Sequence, residues 1–148
     1  LKGAKGLGKL VQPINISLDA EGNKYVCDPV RRQVIMYDKN DFYVRAFSYA
    51  KPWKPVDAEV FEGQLFVVDS TKAKGGIMVF DLKSGEFLEK IGDKGPPDQR
   101  LAIGTNLAID KDGYLYVMDA GRFQIVKYDR DGHYRGHLGE PGDSLGQF

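Results

Sequence analysis

An all-β fold built from one four-stranded unit written three times is predicted by two series of echoes and a matching set of turns. An aromatic residue stands three positions before an aspartate in Tyr25-Val26-Cys27-Asp28, Phe66-Val67-Val68-Asp69 and Tyr116-Val117-Met118-Asp119. A second series follows each copy: Val34-Ile35-Met36-Tyr37-Asp38, Ile77-Met78-Val79-Phe80-Asp81 and Ile125-Val126-Lys127-Tyr128-Asp129. The copies lie roughly 40 to 50 residues apart, a spacing that marks a repeat architecture.

Each unit supplies four strand-like segments. The first alternates with a period of two, Ile14, Ile16 and Leu18 against Asn15, Ser17 and Asp19. Val56, Ala58 and Val60 against Asp57 and Glu59 repeat the pattern, as do Thr105, Leu107 and Ile109 against Asn106, Ala108 and Asp110. A tight turn follows, where Gly22, Gly63 and Gly113 supply positive φ. The second strand runs to the repeated aspartate and is apolar almost throughout, as expected of a strand buried on both faces. The third ends in the aromatic-aspartate pair. After a polar turn comes the fourth, around 43–47, 87–91 and 134–138, the most polar and so the outermost.

Four antiparallel strands per unit, without helical patterning, describe the blades of a β-propeller. The boundaries read as blade 1 over 13–54, blade 2 over 55–103 and blade 3 over 104–145. Residues 1–12 read as a linker and the end of a preceding blade. Gly146-Gln147-Phe148 repeats the start of that linker, so 146–148 is expected to lead into another blade.

The run of proline, apolar strand positions, Asp, Gly and then Tyr-Val-x-Asp resembles the NHL repeat, and the bacterial six-bladed, TolB-like propellers are especially similar. No Trp-Asp dipeptide of the WD40 kind occurs. In one place the pattern departs from NHL repeats, which often carry Asn and then Arg after the strand-end aspartate. Here Arg31 and Arg122 stand three residues on, and Gln33 and Gln124 five on. The resemblance implies about half of a six-bladed ring, completed by the remaining blades of the same protein or by a second copy. Three blades alone leave two terminal faces whose apolar surface a monomer rarely tolerates.

Composition narrows the function classes. Lys plus Arg and Asp plus Glu number 21 each, for a formal net charge of zero, which argues against a nucleic-acid binder. No apolar run approaches the roughly 20 residues of a membrane span. The single cysteine, Cys27, excludes an internal disulfide and occupies the slot of Val68 and Met118, as a buried small hydrophobe would. The chain opens at Leu1 with no signal-peptide pattern, so any targeting segment is expected outside this stretch. A periplasmic or extracellular setting is what the family resemblance implies.

Candidate functional residues fall into three groups. The loops between second and third strands, at 28–33, 69–76 and 119–124, carry Arg31, Arg32, Lys72, Lys74 and Arg122. They present cations on one end of the unit, a face suited to an acidic protein surface or an anionic ligand. Asn15, Asp57 and Asn106 hold the second position of the innermost strand, and oxygen ligands ringing a channel there can hold Ca²⁺, which takes about six to eight oxygens. Channel metals are what the resemblance to lactonase-type propellers permits. Asp28, Asp69 and Asp119, and likewise Asp38, Asp81 and Asp129, read as structural turn aspartates, because identical placement in every unit supplies no asymmetry for catalysis. His133 and His137 stand roughly 13 Å apart at ~3.3 Å per residue, too far to share one ion. No nucleophile elbow or phosphate-binding loop occurs.

The favoured reading is a non-catalytic NHL-type module that scaffolds or recognises another protein. The alternative is half of a metal-dependent hydrolase or lyase with its site in the channel. RNA binding by the loop face is the third, and it lacks a dense basic patch.

Overall fold

The computed structural model describes residues 8–139. The linker start read at 1–7, the end of blade 3 and the further linker at 146–148 lie outside the described residues. Among the described residues twelve strands form three four-stranded antiparallel sheets. Blade 1 is β1 (Asn15–Leu18), β2 (Lys24–Asp28), β3 (Gln33–Tyr37) and β4 (Tyr43–Ser48). Blade 2 is β5 (Pro55–Phe61), β6 (Gln64–Asp69), β7 (Gly76–Asp81) and β8 (Phe87–Ile91). Blade 3 is β9 (Gly104–Ile109), β10 (Leu115–Asp119), β11 (Gln124–Tyr128) and β12 (Tyr134–Leu138). Within each sheet the strands are neighbours in chain order, so every connection is a local hairpin. A 3-10 turn, Pro97–Gln99, lies in the linker from blade 2 to blade 3.

The blades repeat in detail. Strand pairing shifts register once per blade between the third and fourth strands, at Met36/Tyr37, Val79/Phe80 and Lys127/Tyr128. A bulge placed so bends and twists the outer strand at its polar turn. The first hairpin differs in one blade. Blades 1 and 3 close it with Asp19 and Asp110, whose carboxylates accept backbone N–H groups of the turn and the hydroxyls of Tyr25 and Tyr116. Blade 2 has Phe61 and Phe66 at these places and a two-residue turn, Glu62-Gly63, with both residues at positive φ. That is the conformation a tight two-residue hairpin needs.

Sheets pack face to face through two cores. Tyr25, Cys27, Val34 and Phe47 of blade 1 meet Ala58, Leu65, Val67, Met78 and Phe80 of blade 2. Phe66, Val68, Ile77 and Val79, on the other face of blade 2, meet Leu107, Leu115, Val117 and Val126 of blade 3. The second and third strands of the middle blade are therefore buried on both sides, which is why they read as unbroken apolar runs. Gly104 opens β9 against blade 2: a Cβ there would stand 2.9 Å from a Val68 methyl. Apolar residues stay exposed on the two flanks turned away from blade 2. On blade 1 these are Ile14, Ile16 and Leu18, at 51%, 53% and 61% exposure; on blade 3 Met118 is 49% and Phe123 67% exposed.

Phe80 anchors the first of these cores. Its ring meets Phe47 and Phe87 edge-on and lies 5.7 Å from Trp53, itself buried in the linker between blades 1 and 2. Phe80→Ala is expected to cost about 3–5 kcal/mol, read as a lowered urea midpoint at unchanged slope.

Candidate functional site

The candidate site is a rim formed where the loops between second and third strands meet the linkers that enter each blade. The repeated aspartates build it. Asp28 is fully buried and accepts the N–H groups of Val11, at 2.6 Å, and Gln12, both in the linker, and that of Arg31 in its own loop. Asp69 accepts Lys54 N–H at 2.9 Å from the linker and both donors of Thr71 from the loop. Asp119, also fully buried, accepts Ala102 and Ile103 N–H at 2.8 and 3.0 Å and Gly121 N–H at 3.0 Å. Each carboxylate thus ties its loop to the linker that precedes its own blade. Tyrosines add a second tie: Tyr37 donates its hydroxyl to the Gly8 carbonyl and Tyr128, at 2.7 Å, to that of Gln99. Blade 2 has Phe80 there instead, with Trp53 against it; Trp53 Nε1–H reaches the Arg32 carbonyl at 2.8 Å.

These contacts link the blades into a hoop. The loop of blade 1 holds Trp53, whose neighbour Lys54 is held by Asp69 of blade 2. The loop of blade 2 donates Ala73 N–H to Ala102 O, and Ala102 is held by Asp119 of blade 3. Arg32, Ala73 and Phe123 sit at positive φ in the three loops, at 55°, 61° and 57°. Conformations of that kind persist where surroundings over-determine them.

The hoop carries the cations singled out from sequence. Arg32, Lys72 and Lys74 are exposed. Arg31 and Arg122 are partly committed: the Arg31 guanidinium donates to Lys9 O at 2.6 Å, and that of Arg122 to Pro97 O, with its Nε 3.8 Å from Asp119. Between the loops of blades 2 and 3 lies a groove of about 510 Å³. Lys72, Arg100 and Arg122 line it, over a floor that includes Leu101, Ala102 and Ile103. Arg100 escaped the sequence reading, since it sits in an irregular linker; the Pro96-Pro97-Asp98-Gln99-Arg100 run between two strands was the available signal. Gly121 lets the loop approach the floor, because a Cβ there would meet the Ala102 methyl at 2.8 Å.

Asn15, Asp57 and Asn106 do occupy equivalent register positions, opposite Cys27, Val68 and Met118. Asp57 is buried, and its oxygens accept Ala58 N–H at 2.9 Å and, from the next blade, Leu107 N–H at 2.8 Å. Burial raises the Asp57 carboxyl above its ordinary value, despite the two N–H donors. Burial also raises Glu59, helped by the nearby Asp57 charge, and the Ser17 hydroxyl, shared between Ala58 O and this carboxylate, lies 3.3 Å from the latter. The Cys27 thiol is pushed up by its burial and by both carboxylates, which suppresses the thiolate.

At the opposite end Asp38, Asp81 and Asp129 each accept backbone N–H groups of the turn that follows, from Asn40 and Phe42, from Ser84, and from Asp131 and His133. The His133 ring lies 3.1 Å from Asp129 and that of His137 3.2 Å from the Tyr134 hydroxyl, so neither faces the other. Asp129, Asp131 and His133 bring ligand atoms within 4.8 Å on an exposed turn, an arrangement common without any ion.

Stacked four-stranded blades joined by clamped linkers define a β-propeller. The chain belongs to DUF5128, a family of 6-bladed beta-propellers, which matches it over residues 55–140. No curated protein matches it. Among solved structures, Kuenenia stuttgartiensis hydrazine synthase superposes with a TM-score of 0.71 at 13% identity, over 91% of this chain and 38% of that one. A protein of unknown function from Bacteroides caccae gives 0.61 at 12%, over 88% and 47%. A functionally unknown protein from Desulfotomaculum acetoxidans gives 0.64 at 11%, over 86% and 43%. The chain thus spans less than half the length of each, and these likenesses show the fold alone. Among the described residues, no helix is long and apolar enough to cross a membrane.

Two outcomes follow from the clamps. Asp119→Ala leaves three backbone donors unmatched and is expected to cost about 3 kcal/mol in urea unfolding, with Asp119→Asn falling between it and the parent. A carboxyl raised in the folded state keeps its proton to higher pH than it does unfolded. Stability contributed by Asp57 therefore falls as pH rises from the ordinary carboxylate value through the raised one. Urea midpoints measured across that window should fall less for Asp57→Asn than for the parent; parallel curves would show that Asp57 is not the group responsible.

Proposed function

We propose that the chain is an NHL-type propeller module that holds another protein on its loop rim and performs no chemistry of its own. The observation that carries this reading is the hoop itself. Three loops are tied through buried aspartates to three linkers, and the exposed cations ride on the tied segments. A surface prefixed in this way loses little conformational entropy when a partner docks, which is the main cost that interface ordering adds. Cations on a rigid frame also steer an acidic partner toward it and fix its orientation. The proposed contact set is Arg31, Arg32, Lys72, Lys74 and Arg122, to which the geometry adds Arg100. The exposed flanks of blades 1 and 3 are assigned to the other blades of the ring, supplied by further regions of the protein or by another copy.

Arg31 and Arg122 support the rim as well as facing outward, so the fair test spares them. The triple variant Arg32→Glu, Lys72→Glu, Lys74→Glu is expected to lose a partner that crosslinks to the parent, while keeping the parent's circular dichroism and urea midpoint. Undiminished crosslinking would place the contact elsewhere on the molecule.

A further inference from the structure

We infer that the groove between the loop of blade 2 and the linker into blade 3 is a seat for an acidic peptide segment bearing an apolar side chain between its acids; the inference rests on the reading of the rim as a protein-contact surface. Three features of the groove select this ligand.

The first is what its walls lack. Much of their backbone is already engaged: Ala73 N–H with Ala102 O, Ala120 N–H with Ile103 O, and Ala102, Ile103 and Gly121 N–H with Asp119. Those groups are closed to an added strand, so recognition falls chiefly to side chains. The second is the sign of the charge. Lys72 and Arg100 are exposed, and no hydrogen bond or ion pair of their side chains is found among the described residues. Arg122 is oriented by Pro97 O, and the nearby Asp119 carboxylate is fully buried and saturated with N–H donors. The third is the floor. Pro97, Leu101 and Ile103 give it an apolar surface that a bare anion leaves unused. Alternating acid and aliphatic side chains use both, and a volume of about 510 Å³ takes a few of them. A nucleic-acid strand fits less well, since three cations neutralise few phosphates and the chain has no net positive charge.

The test is fluorescence anisotropy with the full 148-residue chain. The probe is a fluorescein-labelled pentapeptide alternating glutamate with leucine. Saturable binding is expected, weakened at least about tenfold by Lys72→Glu with Arg100→Glu, and weakened by a similar factor when the leucines become glycines. Lys111→Glu, an exposed residue of the turn between β9 and β10 at the opposite end of blade 3, should leave the affinity as it was. Both groove residues are exposed, and matching urea midpoints confirm that the variants fold. Three results would overturn the assignment: no saturation into the millimolar range, equal affinity of parent and double variant, or tighter binding of a single-stranded oligonucleotide. If the peptide fails while the rim variant still loses its crosslinked partner, the scaffold reading stands and only the groove falls. Peptide binding without any crosslinked partner would sink the scaffold reading and leave the groove.

Discussion

The buried carboxylate at the end of each second strand is the interaction on which the rest depends. A carboxylate taken out of water is costly unless its lone pairs are matched. Asp28, Asp69 and Asp119 match theirs with N–H groups from two directions, the following loop and the preceding linker. Because linkers and loops have no ladder of their own, this is where their donors go. One side chain per blade therefore fixes how the chain enters the sheet and how the loop leaves it. Position and orientation of the whole rim follow from that choice.

Between the blades the forces are of another kind. Apolar side chains interdigitate across the two interfaces, and non-directional burial sets how closely the sheets approach. Direction comes from a few polar bridges at the inner edge. Asp57 reaches across to Leu107 N–H, and the Ser17 hydroxyl donates to Ala58 O. These contacts occupy backbone groups of inner strands that a sheet edge otherwise leaves open. Asp57 thus does for neighbouring blades what Asp119 does within one.

Much of this was legible in the chain, and what was not has a common cause. Period-two alternation and the aromatic-aspartate endings are local patterns, so strands, their order and the three-fold repeat could be read directly. The turn N–H groups that Asp28, Asp69 and Asp119 accept were likewise local. Their linker donors stand some 15 to 17 residues earlier in the chain, and nothing in the spacing announces them. Asp57 was placed at the right register position with Asn15 and Asn106, yet its partner belongs to the next blade, 50 residues on. Arg100 was passed over for the same reason. Its linker carries no periodicity, and only the fold brings it beside Lys72 and Arg122.

The two flanks differ, and that difference has a direction. Met118 and Ile125 on blade 3 stand at the register positions of Cys27 and Val34, and of Val68 and Ile77, which receive Ala58 and Leu107 from the following blade. Ile16 and Leu18 on blade 1 stand at the positions of Ala58 and Val60, which are the inserting kind. One flank is a socket and the other a plug. Blade 2 inserts into blade 1 and blade 3 into blade 2 in this way, so the described blades follow one another in a single rotational sense. A head-to-tail contact of this type ends only by coming round to its own beginning.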